Sequence, residues 1–238
     1  MQAVVVIAPS TRQLRCCDSY TTQEPHWTQP RQPEPSPAVV SVPLRACLLS
    51  GGFSRRMGRD KAQLPHSGGG TWLDHALRQL QSLNVPISLL SRWPQHLTQA
   101  GELDPGILRL MEPEPQQGPL LALHRLMVQH PDQRLLLCPV DMPQLTPAVL
   151  AELVTAAAAE PEAIHVAHDG ERCQPLLGIY PSDAPRRARL QAAIAAGERK
   201  LQRWLASEDH RTVTLAAEAI RNINCPIELR DLRPCPKA

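Results

Sequence analysis

The chain has 238 residues, a formal net charge of +2, 42% hydrophobic and 20% charged residues, the composition of a soluble globular protein with one large domain, or one domain and a tail. Near-neutral charge excludes a dedicated DNA binder, which needs a basic excess to neutralise phosphates, and 3% aromatics leaves too few rings for a single-strand stacking platform. No apolar run approaches the roughly 20 residues needed to span a bilayer. Seven cysteines without a CxxC pair argue against a disulfide framework or a structural zinc site and fit a reducing cytoplasm. The short apolar run near Met1 has no basic residue before it, so it makes a poor secretory signal. A cytoplasmic protein without nucleic-acid or membrane partners is expected.

Residues 1–43 carry seven of the 25 prolines. That density blocks both helix and central strand, so the segment reads as a disordered or extended tail, or as an over-long start. Residues 44–238 then form the folded domain. Six short apolar runs follow, at 44–50, 86–91, 107–111, 134–140, 163–167 and 175–180. Leu-Leu-Leu-Cys-Pro-Val at 135–140 is apolar on both faces, as in a buried, largely parallel sheet. Helical patterns lie between the runs. Thr71 with Asp74 three residues on opens one, Gly118 another, Thr146-Pro147 a third and Ser182 a fourth. Asp169-Gly170 between two strands signals a hairpin. The pattern predicts a three-layer, Rossmann-like α/β fold with a mostly parallel, mixed sheet.

In such sheets ligands bind beyond the carboxyl ends of the strands. After the first run comes Ser50-Gly51-Gly52-Phe53-Ser54-Arg55-Arg56-Met57-Gly58-Arg59-Asp60-Lys61. Paired glycines let backbone amides approach a phosphate, and the basic residues suit a polyanion such as a nucleoside triphosphate; a solvated basic loop with a glycine turn is the plainer alternative. Neither GxxxxGK[ST] nor GxGxxG is present. Asp141 ends the fourth run, placed to hold a Mg²⁺ that bridges phosphates or simply to turn the chain into the next helix. Gly118-Pro119 leaves helix N-terminal amides available to an anion. Asn222 and Asn224 read as caps or as metal or substrate contacts. The histidines show no ligand spacing, and Cys173 has no flanking base.

Taken in order, LLSGGFSRRMGRDKA, GPLLAL, CPVDMP, HDGERCQPLLGIY, AGERKLQRWL and NINCPIEL resemble the molybdenum cofactor guanylyltransferase family, nucleotidyltransferases with a glycosyltransferase-A-like fold, over about residues 44–232. The resemblance implies transfer of GMP from GTP to the molybdopterin form of the molybdenum cofactor, with Mg²⁺ and release of pyrophosphate. It implies that Leu49, Ser50, Gly51 and Gly52 contact the nucleotide, that Lys61 holds its phosphates, and that Asp141 ligates the metal with Asn224 as a second contact; Arg56, by its charge, suits catalytic stabilisation at the α-phosphate beside Lys61 and Asp141. Gly170, Glu171 and Arg172, with Gly197, Glu198 and Arg199, fall on the pterin side. Ser50 replaces the commoner alanine. Ser91 and Glu112 stand where the family more often has asparagine and aspartate, and are the candidates for base and ribose contacts. Molybdenum cofactor delivery or acceptor proteins are the implied protein partners. A cytidylyltransferase for the same cofactor, a sugar-phosphate nucleotidyltransferase and a non-catalytic cofactor carrier are the alternatives.

Overall fold

The computed structural model of the protein describes residues 42–52, 57–113, 118–225 and 227–228. Of the expected tail, only Val42 and Pro43 are among them. Their carbonyls accept hydrogen bonds from the Arg134 side chain (3.3 Å) and the Arg134 amide (2.8 Å), so these two residues are already part of the domain's edge.

All six apolar runs form strands. They are β1 (Leu44–Leu49), β2 (Ile87–Ser91), β3 (Leu108–Met111), β4 (Arg134–Pro139), β5 (Ile164–His168) and β6 (Cys173–Pro181). The four expected helices are α1 (Trp72–Gln81), α3 (Pro119–Gln129), α4 (Pro147–Ala159) and α5 (Ala184–Ala195). Thr71 and Asp74 make the expected capping box, each side chain bonding the other's backbone amide. Three elements were not foreseen: α2 (Pro94–Leu103), α6 (Leu201–Leu205) and β7 (His210–Thr214). Of these, α2 carries a proline at its first turn, Pro94, the same kind of start that opens α4. Trp93 and Lys200 cap their helices without a side-chain hydrogen bond, and β7 is polar and largely exposed.

The strands form one sheet in the order β3-β2-β1-β4-β6-β5-β7. β1 pairs in parallel with β2 and β4, β2 with β3, and β5 with β7. Only β6 is reversed, antiparallel to both β4 and β5. The sheet is therefore mixed and mostly parallel, with the Asp169-Gly170 hairpin supplying the reversal. Near this hairpin the β5–β6 register slips between Val166 and Ala167. A Cβ on Gly178 would lie 2.7 Å from the His165 carbonyl oxygen, so only glycine fits this close approach.

Side-chain alternation explains the two-sided apolar runs. Ala46, Leu48, Leu136 and Cys138 face a core shared with α1, α2 and α4, while Cys47, Leu135 and Leu137 face a second core shared with α3, α5 and α6. The result is a three-layer α/β/α domain. Among the described residues, no helix is long and apolar enough to cross a membrane.

At the amino edge of the sheet lies a buried polar cluster. Ser88 Oγ is 3.0 Å from His130 Nε2, and Arg45 reaches Ser88 Oγ at 3.3 Å. Burial, reinforced by the Arg45 charge, pushes His130 down to about 4. An unfolded histidine titrates near 6.5, so between those values the unfolded chain binds the extra proton. The contribution of neutral His130 is fully present above pH about 6.5 and is lost as pH falls towards about 4. Denaturant unfolding at pH 7 and pH 4.5 should show a smaller acid loss of stability in His130→Gln than in the wild type.

Candidate active site

The chain leaves β1 towards β2 and β3, then returns to β4 on the other side of β1. The crevice between the carboxyl ends of β1 and β4 is thus a topological switch point, where open α/β sheets bind ligands. Hydrogen bonds carry the strand ends forward to the same edge: Val140 N–H to the Leu49 carbonyl (3.2 Å), Ser50 N–H to Leu90 (3.1 Å) and Glu112 N–H to Ser91 (2.8 Å). Here lies a cleft of about 280 Å³, lined by Leu49, Ser50, Gly51, Gly52, Asp60, Lys61, Glu112, Gly118 and Asp141 among others. Gly118, at φ +87°, caps α3 in a backbone conformation that a side chain would strain.

Lys61 is the centre of the arrangement. Its Nζ lies 3.0 Å from Asp141 Oδ2 and 2.8 Å from Asn224 Oδ1. The three groups come from segments 80 and 163 residues apart. Asn224 is brought in by its own anchors. Ile223 N–H donates to the Asp141 carbonyl (3.0 Å), and the Ile223 side chain is buried with Met57, Leu64 and Trp72. Glu228 accepts from the Asn224 and Cys225 amides, bonds that hold its carboxyl below the usual range.

The turn after Asp141 is braced by two of the histidines, which show no ligand spacing in the sequence. His66 Nδ1 accepts from the Gly68 amide, so its Nε2–H donates to the Pro143 carbonyl (2.9 Å). His75 bonds the Leu145 carbonyl through Nε2 (3.2 Å), and the two rings stack with centroids 3.7 Å apart. Burial, helped by neighbouring His66, keeps His75 below its ordinary range.

Other expected residues fall in different places. Ser91 is fully buried behind the cleft wall, its Oγ facing His96 and the Ser50 carbonyl. Glu112 does line the cleft, with Arg125 3.4 Å from its carboxylate. Arg56 lies outside the described residues. Gly170, Glu171 and Arg172 form the hairpin at the carboxyl edge of the sheet, shaped by Asp169, whose carboxylate accepts from the Arg172 and Glu171 amides and from Gln174. Those bonds pull Asp169 down to about 2, so it donates no proton near neutrality. The loop of Gly197, Glu198 and Arg199 comes near the cleft where the Arg199 carbonyl faces Gly118. The Glu198 carboxylate is occupied by the Lys200 and Arg199 amides, and the Arg199 guanidinium by the Ile194 and Glu198 carbonyls.

No thiol nucleophile serves the cleft from its flanking strands. Burial pushes Cys138 up to about 12, with the Asp141 charge adding, and pushes Cys47 up to about 12 against the opposing Arg45 charge. Among the described residues, no group of three or more His, Cys, Asp or Glu side chains is placed to hold a metal. The donors available are instead Asp141 and Asn224, which converge on one cation, the Lys61 ammonium. Asp141 Oδ1 is buried without a hydrogen-bond partner. Such a pair fits Mg²⁺, which commonly takes one or two carboxylates and completes its shell with water and substrate phosphate.

Residues 46–213 match the family described as the MobA-like NTP transferase domain. By class, then, the glycine loop, lysine and strand-tip aspartate belong to a nucleotidyltransferase. The chain belongs to the MobA-like NTP transferase family. It is 37% identical over 202 residues to a probable molybdenum cofactor guanylyltransferase of Rhodopirellula baltica, covering 81% of this chain and 93% of the relative. In fold it is similar to molybdopterin-guanine dinucleotide biosynthesis protein A from Archaeoglobus fulgidus (TM-score 0.63, 18% identity, 79% of this chain and 95% of that one). It is also similar to a Mycobacterium tuberculosis protein solved in complex with manganese (TM-score 0.58, 16% identity, 80% and 97%).

The Lys61–Asp141 pair is mostly out of water, with side-chain exposures of 11% and 23%. Lys61→Ala should therefore cost about 1–3 kcal/mol of folding stability, because it leaves a charged carboxylate under-satisfied. Adding Asp141→Asn to Lys61→Ala should recover part of that loss. Denaturant midpoints of the two single variants and the double variant give the coupling energy directly.

Proposed function

We propose that this protein transfers GMP from GTP to the molybdopterin form of the molybdenum cofactor, releasing pyrophosphate and giving the guanine dinucleotide cofactor. The observation that carries the reading is the convergence of Gly51-Gly52, Lys61, Asp141 and Asn224 on one switch-point cleft. The names borne by its relatives support the choice of substrates. Residues 44–238 are proposed as the transferase domain, with Val42 and Pro43 at its edge and the rest of 1–43 as an appendage to it.

The acceptor is a phosphate monoester, already anionic at neutral pH, so the reaction requires little proton abstraction. One of its oxygens attacks the α-phosphorus of GTP in line. The bond from that phosphorus to the α,β-bridging oxygen breaks, and the electron pair leaves with pyrophosphate. The chain's work is to bring two polyanions together and to neutralise charge at the α-phosphate. Lys61, with Arg56 from the adjoining loop, supplies positive charge. Backbone amides at Gly51 and Gly52 let phosphate approach without steric hindrance. Asp141 and Asn224 are the residues that would hold Mg²⁺. When bound, that ion supplies Lewis-acid stabilisation of the phosphate oxygens.

Base selection must come from groups that meet the base edge, since every triphosphate carries the same phosphates. The Ser50 amide is committed to Leu90 and the Leu49 carbonyl accepts from Val140. The Ser50 hydroxyl faces His96. Glu112 lines the cleft with Arg125 3.4 Å from its carboxylate, and a carboxylate can accept from the adjacent N–H groups of guanine. A site built to pair with polar groups rejects bases that leave it unpaired.

Turnover should fall about 10²–10³-fold in Lys61→Ala, the order found for losing one preorganised charge-stabilising donor. A steady-state rate within a few-fold of wild type would remove Lys61 from the catalytic set. With molybdopterin and Mg²⁺ present, pyrophosphate release should be faster with GTP than with equal CTP or ATP. Preference for CTP would move the protein to the cytidylyltransferase branch, and cofactor binding without release from any triphosphate would make it a carrier.

A further inference from the structure

We infer that His96 is a positioning residue for the transfer reaction: its ring ties both ends of the glycine–arginine loop together and so fixes the place from which Lys61 is presented. His96 lies in α2 and is fully buried. Its Nε2 is 2.6 Å from Asp60 Oδ2, at the far end of the loop. Its Nδ1 is 3.1 Å from Ser50 Oγ, at the near end, and 3.1 Å from Ser91 Oγ. An ionised carboxylate only accepts, so Nε2 carries the hydrogen and donates to Asp60. Nδ1 is left to the serines: Ser50 Oγ is its partner at the near end, while the Ser91 oxygen takes the Trp93 amide at 3.1 Å and lies 3.5 Å from the Ser50 carbonyl.

The clamp reaches Lys61 through Asp60. The second carboxylate oxygen, Oδ1, accepts from the Ala62 amide at 3.0 Å, so Asp60 bridges across Lys61 and holds the backbone on both sides of it. Asp60 and Lys61 both line the cleft. A buried, satisfied histidine is ordinarily a core residue. Here, however, the ring's partners sit at Ser50 and Asp60, the two ends of the loop, and at the Ser91 hydroxyl that supports Ser50. Tethering both ends to one ring removes freedom that an open loop would otherwise lose on binding phosphate. The inference rests on the proposed nucleotide site, but the geometry of the tether does not.

Two isosteres separate the two halves of the ring. Asparagine reaches only the Nδ1 position and keeps the Ser50 end; glutamine reaches the Nε2 position and keeps Asp60. In His96→Asn, amide hydrogen exchange at Lys61 and Ala62 in the nucleotide-free protein should rise about tenfold, the scale of one lost charge-assisted hydrogen bond. Its kcat for pyrophosphate release should drop about tenfold or more while KM for GTP moves less than about threefold, the signature of a misplaced catalytic group. His96→Gln should stay within about threefold of wild type on all three measures. Wild-type exchange in His96→Asn, or equal losses in both variants that track thermal stability, would overturn the inference. If His96→Asn does not fold, Asp60→Asn must show the same faster exchange at Ala62, and unchanged exchange there overturns it. Should the wild type release no pyrophosphate from any triphosphate, the guanylyltransferase reading fails, and exchange alone decides the clamp.

Discussion

A lysine ammonium withdrawn from water must find oxygen atoms, and in this fold the requirement organises everything around it. Lys61 is about nine-tenths buried and meets Asp141 and Asn224. To place those oxygens, β1 and β4 must pair in parallel and in register, so that the Val140 amide reaches Leu49 and Asp141 follows at the tip. The segment holding Ile223 must then return from the far end of the sheet and bond the Asp141 carbonyl. Local sequence preferences alone could not assemble the trio. It exists because two apolar cores, one on each face of the sheet, hold the strand tips in place. An ammonium so placed can exchange a carboxylate for a phosphate with little movement, since both are oxygen anions that accept its hydrogens.

Much of this was legible in the residues themselves. Buried strands such as Leu-Leu-Leu-Cys-Pro announce themselves because both faces must be apolar, and Thr71 with Asp74 announces a helix start because each side chain satisfies an orphan amide. Lys61 and Asp141 could be read because each follows a strand at its carboxyl end. What could not be read were features whose signal lies in tertiary contact. β7 is polar and mostly exposed, held by pairing to β5. Ser91 shared the strand-tip signal with Asp141, yet its side chain turned inward. The last residue of β2 faces either way depending on register, which one sequence leaves open.

Histidines were the most opaque class. Their spacing along the chain suggests no common role, and none of them ligates a metal cluster among the described residues. Folded, three of them brace the two walls of one cleft. His96 holds the loop that follows β1, and the stacked His66 and His75 hold the turn that follows β4 through the Pro143 and Leu145 carbonyls. Ser50 presents its hydroxyl to the same His96 ring, 3.1 Å from Nδ1. The role of a hydroxyl at a strand tip is thus visible only beside a residue 46 positions away.

The reversed strand β6 bears on how such a protein can diversify. Every other strand from β1 to β4 leaves the reactive edge into a helix, so lengthening those connections shifts a helix start and the amides it presents. The four residues between His168 and Cys173 only join neighbouring strands. Lengthening such a connection moves no helix. The carboxyl edge of the sheet can therefore be extended there while the lysine and its two oxygens stay where the sheet put them.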